Sequence, residues 1–258
     1  MHSNRKAESS PRVKLPCATS SKHSVVFPVL TTRLWFPDPR SAKKGGEFDG
    51  LVAIGGDLSV PRLLLAYGNG IFPWTDNPIT WWSPDPRAIF DLDRFHVSES
   101  LARVLRQGVF EVTRDRAFRR VVEGCAAPAP GRESTWISPR FIEAYTRLHK
   151  KGHAHSVECW QAGELAGGIY GVSIGGFFAG ESMFHRVSNA SKVALYHLIE
   201  HLRSRGFVLF DIQSTTPITR QLGAFTISRE EYLRHLAQAI EMNCAFEHPI
   251  EGVKPLNR

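Results

Sequence analysis

The chain has 258 residues, 42% of them hydrophobic and 22% charged, with a formal net charge of +7. That composition is ordinary for a globular protein of one large or two modest domains, and the excess of base favours a polyanionic partner without naming one. The four cysteines (Cys17, Cys125, Cys159, Cys244) are scattered with no CxxC pair, which argues against a disulfide framework or a thiolate zinc site, and no window approaches the apolar length of a membrane span.

Residues 1–34 are polar and basic, with Glu8 as the sole acid, and are expected to form a disordered basic arm. The stretch "VVFPVL" within it is too short, and too broken by proline, for a secretory h-region. "FPDPRSAKKGGEFDG" (36–50) is turn-rich. A short helix is expected from Pro61 to Tyr67, capped by Asp57 or Ser59 and ended by Gly68 or Gly70. "ITWWSPDPRAIFDL" reads as two short strands hinged on Ser83-Pro84-Asp85-Pro86, where a domain boundary is placed: residues 35–86 before it, 87–242 after it, and 243–258 as a tail.

Beyond the hinge the elements alternate. "SESLARVLRQG" is a capped helix and "VFEVT" a strand. "RDRAFRRVVEGCA" is a helix with Phe118, Val121 and Val122 on one side and Arg116, Arg119 and Arg120 on the other. "SPRFIEAYTRLHKKG" carries Phe141, Ile142, Tyr145 and Leu148 at helical spacing. Three strands follow, "AHSVECW", "ELAGGIYGVSIG" and "GFFAGESMF", the last two joined as a hairpin at Gly175-Gly176. "NASKVALYHLIEHLRSRG" is a helix with Val193, Leu195, Leu198, Ile199 and Leu202 inward. "GFVLFDIQST" is a strand and "SREEYLRHLAQAI" a last amphipathic helix, so the whole reads as mixed α+β on a central sheet.

Three groups of residues bear chemistry. Asp211 and Gln213, two apart on a strand, are expected to share a face with Leu209, and Glu181 and Met183 to do the same on theirs. If the strands are neighbours, a carboxylate pair and an amide converge, a setting for a general base; a strand merely reaching solvent would look the same. Trp74 in "GIFPWTDNP" and Trp136 in "RESTWISP" are placed in loops, where tryptophan stacks on a base or sugar as readily as it fills a core. Arg103 and Arg106, then Arg114, Arg116, Arg119 and Arg120, can form positive ridges for phosphates or a solvated face. His149 and His153 lack an HExxH frame or a third ligand, so no metal is expected, and "GGIYG" and "GVSIGG" read as hairpin glycines.

"GGDLSVPRLLLAYGNGIFPW", "WWSPDPRA", "TWIS", "AYTRLHKKGHAHSVECW", "GGIYGVSIGGFFAGESMF", "NASKVAL", "DIQ" and "QLGAFTISREEYL" stand in the order found in the leucyl/phenylalanyl-tRNA–protein transferases. The chain resembles that family from about Trp35 to Ile240. The resemblance implies an α+β protein, a small N-terminal α/β domain followed by a GNAT-like (acetyltransferase-like) mixed-sheet domain. It also implies a cytoplasmic aminoacyltransferase without cofactor or metal, since the ester it uses is already activated; a monomer is expected. Its partners would be Leu-tRNA or Phe-tRNA, less readily the methionyl form, and proteins with N-terminal Arg or Lys, which it marks for N-end-rule degradation.

By motif, the resemblance makes Asp211, Gln213 and Glu181 the catalytic residues. It gives Trp74, Trp136, Tyr67 and Tyr145 to the aminoacyl-adenosine end, and Phe178, Met183, Leu195, Leu198, Phe210 and Ile169 to the amino-acid pocket. Arg103 and Arg106, with Arg119 and Arg120, would meet tRNA phosphates. Asp211 is expected to polarise Gln213, whose amide oxygen holds the attacking amine. Two departures stand out: Glu99 occupies a turn where relatives carry another base, and "STTPITRQLGA" replaces a segment with Asn and His, leaving Thr215 or Thr216 as substitute hydroxyls. A GNAT enzyme would cradle acetyl-CoA on R-x-x-G-x-[GA]; "RVSNAS" puts asparagine in the glycine position, which argues against it. A non-catalytic RNA-binding protein would account for the charge and tryptophans but not for the Asp/Gln pair.

Overall fold

The computed structural model describes residues 27–129 and 133–247. Its strands fall into two sheets. β1 (Val29–Leu30), β2 (Leu51–Gly55), β3 (Phe72–Asp76) and β4 (Ile79–Trp82) make the smaller, in the order β1-β2-β4-β3. The larger contains β5 (Arg87–Phe90), β6 (Glu111–Arg114), β7 (Ala154–Gln161), β8 (Glu164–Ile174), β9 (Phe177–His185), β10 (Leu209–Gln213) and β11 (Phe225–Ile227), in the order β11-β5-β10-β9-β8-β7-β6. The helices are α1 (Val60–Gly68), α2 (Glu99–Gln107), α3 (Phe118–Ala126), α4 (Pro139–Lys150), α5 (Ala190–Ser204), α6 (Pro217–Gln221) and α7 (Arg229–Ile240). The chain passes from one sheet to the other at Ser83–Pro86, with β4 ending on one side of that hinge and β5 beginning on the other.

Local chemistry accounts for the boundaries. Ser98, Ser138 and Ser228 cap α2, α4 and α7 by accepting the backbone N–H of the third residue of each helix, and Gly108 ends α2 in the left-handed conformation. Ser59 occupies the cap position of α1 without a side-chain bond, while Asp57 accepts from Ser59 N at 2.9 Å. Thr216 caps the unexpected α6 in a reciprocal box with Thr219, and Thr215 Oγ1 accepts from Arg220 at 2.8 Å, so both threonines brace the turn after β10.

The larger sheet is covered on both faces. α3, α4, α7, α1 and the smaller sheet bury one face; α2 and α5 bury the other. β9 and β10 are parallel, and every other neighbouring pair in this sheet is antiparallel. The parallel ladder runs only from Leu209↔Phe177 to Asp211↔Ala179, after which the two strands part.

Several expectations need correction. The arm is expected to reach residue 34, but Val29 and Leu30 form an edge strand that pairs in parallel with Ile54 and Gly55. Arg62 secures it by donating to the Thr31 and Arg33 carbonyls. The tail expected from residue 243 begins inside the fold, with Phe246 2% exposed and its ring 4.2 Å from that of His155. Residues 1–26, including Cys17, and 248–258 lie outside the described residues. Trp74 is on β3, not in a loop. The glycines of "GGIYG" lie inside β8, where a Cβ at Gly167 would meet Ala190, one at Gly168 would meet Val121, and one at Gly171 would meet Phe178: they let helices and neighbouring rings close on the sheet.

Candidate active site

Asp211 follows the apolar run of β10 and is 0% exposed. An isolated buried carboxylate is prohibitive, so its partners define it. Arg87 Nε donates to Oδ1 at 2.8 Å and Nη2 to Oδ2 at 2.7 Å, a bidentate pair. Tyr232 OH donates to Oδ2 at 3.0 Å, and Gln213 N donates to Oδ1 at 2.9 Å. Arg87 also donates to Gly70 O at 3.1 Å and lies between the rings of Phe72 and Tyr232, 4.9 and 4.5 Å from their centroids. Asp211 therefore does not polarise the Gln213 amide. It is sealed behind it and holds the backbone of Gln213, which bulges out of register with φ 57°. A non-glycine residue in that region costs about 1–2 kcal/mol, here offset by the Asp211 bond.

Strand alternation also fails at Glu181. Tyr170 pairs with Ser182 and Gly171 with Gly180, leaving Glu181 as the extra residue of a β-bulge. Before the bulge Phe178 faces the α5 side; after it Met183 does. Glu181 faces the other way, towards α4, so it and Met183 do not share a face as expected. Tyr145 OH donates to Glu181 Oε2 at 2.9 Å, and Tyr67 OH stands 2.8 Å from Tyr145 OH, so Tyr67 is the donor of that second bond. Burial, then the charge of Glu181, pushes both phenols well above their ordinary range, and they remain proton donors.

Glu181 is half-buried, at the point where β9 and β10 part. Its desolvated surroundings push it up to about 7, against the opposing hydrogen bonding of the tyrosine pair. The Gln213 amide has two orientations. With nitrogen towards Glu181 it donates to Oε1 at 3.3 Å; turned over, it donates to the Ile212 and Gly180 carbonyls at 3.0 Å each. The second is better, since it bonds twice and removes two oxygen–oxygen contacts. It turns the amide oxygen to Glu181, which suits a carboxyl that carries a proton near neutrality.

The remaining expected residues are distributed as follows. Tyr67 and Tyr145 are 1% and 0% exposed, so they support the carboxyl and offer no surface to an adenosine. Trp136 lies edge-on to Tyr145, ring centroids 6.4 Å apart, and Trp74 is 39% exposed against Trp82. Asp76 on β3 accepts from Ser138 Oγ, which ties together the segments carrying the two tryptophans. Phe178, Leu195, Leu198, Phe210 and Ile169 are buried in the α5-side core, while Met183 is half-buried and packs against that core. Arg103 and Arg106 are exposed on α2, the far side of the sheet from Glu181. Arg119 is held by Glu123 and Glu143, and Arg120 lies over Trp160.

Arg87 escaped the sequence reading. The signal was a charge opening an otherwise apolar strand, "RAIF", which must find a counter-charge when it is buried. Among the described residues no group of three or more His, Cys, Asp or Glu is placed to hold a metal, and no helix is long and apolar enough to cross a membrane.

The family model described as Leucyl/phenylalanyl-tRNA protein transferase matches residues 89–237, and that of its N-terminal domain matches residues 56–85. The chain belongs to the leucyl/phenylalanyl-tRNA protein transferase family. A member from Syntrophobacter fumaroxidans is 52% identical over 214 residues, covering 82% of this chain and 90% of its own. One from Oleidesulfovibrio alaskensis is 47% identical over 240 residues, 89% of this chain and 95% of its own. As a leucyl/phenylalanyl-tRNA protein transferase it is an aminoacyltransferase, and the family's substrates are aminoacyl-tRNA and protein. Among solved structures, a GCN5-related N-acetyltransferase from Kribbella flavida is matched at 10% identity and a TM-score of 0.37, over 64% of this chain and 60% of that one. L-PGS from Bacillus licheniformis is matched at 14% identity and a TM-score of 0.36, over 62% of this chain and 51% of that one. At those scores neither bears on the chemistry.

Proposed function

We propose that this transferase moves leucine or phenylalanine, and less readily methionine, from aminoacyl-tRNA to the N-terminal arginine or lysine of acceptor proteins, marking them for N-end-rule degradation. The observation that carries the reading is Glu181: a carboxyl beside Gln213, pushed up to about 7 and bound by a tyrosine that is itself hydrogen-bonded to another. A free α-amine has a pKa of about 7.7–8.0 and must lose a proton to attack an ester. The ammonium proton leaves to solvent, and as the neutral amine attacks, a carboxylate whose acid form titrates near 7 accepts the second proton, for which an amide is a poor base.

In this mechanism the amide oxygen of Gln213 orients the amine and Glu181 takes its proton as the nitrogen bonds to the ester carbon. The carbon–oxygen bond to the terminal ribose then breaks, and Glu181 returns the proton to the departing oxygen. Asp211 touches none of the reacting atoms: it is a positioning residue that keeps Gln213 in its bulge. The aminoacyl side chain enters between the parted strands, past Met183 towards Phe178, Phe210 and Leu195. With each buried CH₂ worth roughly 0.8 kcal/mol, leucine is favoured over alanine by about two orders of magnitude. Trp74 and Trp136 flank the terminal adenosine.

Transfer of radiolabelled leucine from Leu-tRNA to peptides beginning with Arg, Lys or Ala, with acetyl-CoA as an alternative donor, tests the reading. The expected result is labelled Arg and Lys peptides, an unlabelled Ala peptide and no acetylation. Labelling that ignores the first residue, or acetyl transfer, would overturn it.

A further inference from the structure

A cavity of about 530 Å³ opens between the entry to α1 and the first turns of α4, lined by Asp57, Leu58, Ser59, Arg140, Glu143 and Arg147 among others. We propose that it receives the backbone phosphates of the single-stranded 3′ end of aminoacyl-tRNA, with Arg140 and Arg147 as the contacts. The proposal rests on the functional reading above, which supplies the tRNA.

Charge is the first argument. Both acids of the cavity are already spent: Asp57 pairs with Arg62 at 3.2 Å and Glu143 with Arg119 at 2.7 Å. Arg140 and Arg147 have no carboxylate within ion-pair reach among the described residues. Each is nonetheless held in place through one N–H, Arg140 to Asp76 O at 2.6 Å and Arg147 to Leu58 O at 3.3 Å. A guanidinium fixed by one donor still offers the others, and its planar fork matches a phosphate.

Position is the second. Arg140 and Arg147 are two turns apart on α4, about 10 Å along its axis and on nearly one face, which suits neighbouring phosphates better than a single ion. Trp136 lies just before this helix, and Asp76, whose carbonyl holds Arg140, is two residues from Trp74. A strand whose terminal adenosine rests at the tryptophans therefore continues directly past the two arginines. The first turn of α4 is capped by Ser138, so the arginines supply the attraction and not the helix end. By contrast Arg119, expected to be a phosphate contact, is neutralised in two ion pairs.

The test compares the wild type with the double variant Arg140→Gln/Arg147→Gln, which keeps an N–H for each carbonyl but removes both charges, and with Arg140→Lys/Arg147→Lys. Leu-tRNA binding is measured across a salt series, and transfer to an Arg-peptide is measured from Leu-tRNA and from leucyl-adenosine, which carries no phosphate. The Gln variant is expected to bind Leu-tRNA on the order of tenfold more weakly, with the log–log salt slope shallower by about 1.4, while leucyl-adenosine still reacts as with wild type. The Lys variant should restore the slope. Unchanged tRNA affinity and slope would overturn the proposal, as would an equal loss with both donors, which would make the arginines props for the tryptophan segments. A wild-type protein that binds Leu-tRNA but transfers from neither donor would instead overturn the functional reading.

Discussion

Glu181 is kept in a state that folding alone would not choose. In the unfolded chain a glutamate titrates near 4.3; in the folded protein this one is pushed up to about 7 by burial. Below the lower value it is protonated in both states and costs nothing. As pH rises between the two, the folded protein retains a proton that the unfolded chain has released, so stability falls through that window by about 4 kcal/mol and stays lowered above it. Glu181→Gln removes the ionisation. Melting temperatures of the variant are therefore expected to exceed those of the wild type above pH 7 and to match them near pH 4. Transfer should fall by about 10²–10⁴, and the rise of kcat/KM through about pH 7 should vanish, leaving only the acceptor amine's own titration at about 7.7–8.0. A destabilised variant at pH 8, or a preserved inflection near 7, would remove Glu181 from the role of base.

At the scale of elements, the site is made by two departures from regular β-structure on strands that run parallel and then part. One strand bulges at Glu181, the other at Gln213, and between them the carboxyl and amide meet. Many of the elements were legible in the sequence, since the capped α2, the Gly175-Gly176 hairpin and the hinge at Ser83–Pro86 are local signals that their neighbours suffice to read, whereas β1, β3 and α6 were not. The bulges were not, because a bulge is a mismatch between two strands and neither strand alone contains it; hence Glu181 was paired with Met183 on one face when they occupy opposite faces. The Arg87–Asp211 pair was hidden for the same reason, as its members are 124 residues apart.

The same pair couples elements to one another. Gly70, after α1, accepts from Arg87 with φ 73°, and a Cβ there would lie 2.7 Å from Leu233 and 2.9 Å from Tyr232 on α7. Gly70→Ala adds left-handed strain of about 1–2 kcal/mol to overpacking of about 1–3 kcal/mol, so urea unfolding should show a loss of about 3 kcal/mol. Because Tyr232 must shift, and its hydroxyl holds Asp211, transfer should also slow at temperatures where the variant is folded. A loss below about 1 kcal/mol would mean that α7 yields at little cost and does not clamp the pair.

At the scale of the whole molecule, the chain's last described residues close the α5-side core. Phe246 lies within 5.7 Å of the Phe178 ring, stacks on His155 at 4.2 Å, and offers its carbonyl to His201 Nε2 at 2.7 Å. Arg205 Nε donates to Ala245 O at 2.9 Å beside it. Phe246 is thus the outer wall of the same core whose inner wall, through Phe178 and Phe210, backs the parted strands. Phe246→Ala empties a site with little freedom to collapse and is expected to cost about 3–5 kcal/mol, a large share of the 5–15 kcal/mol that stabilises an ordinary domain. The arginines of the proposed phosphate cavity lie across the sheet on α4, so Leu-tRNA affinity measured below the melting transition should be unchanged. The effect of the missing ring should appear in the donor side chain: with Phe178 free to move outward, kcat/KM for Phe-tRNA should rise relative to Leu-tRNA. A variant that loses stability with an unchanged donor ratio would confine Phe246 to holding the fold, and one that loses tRNA affinity would show that the two faces of the sheet are coupled.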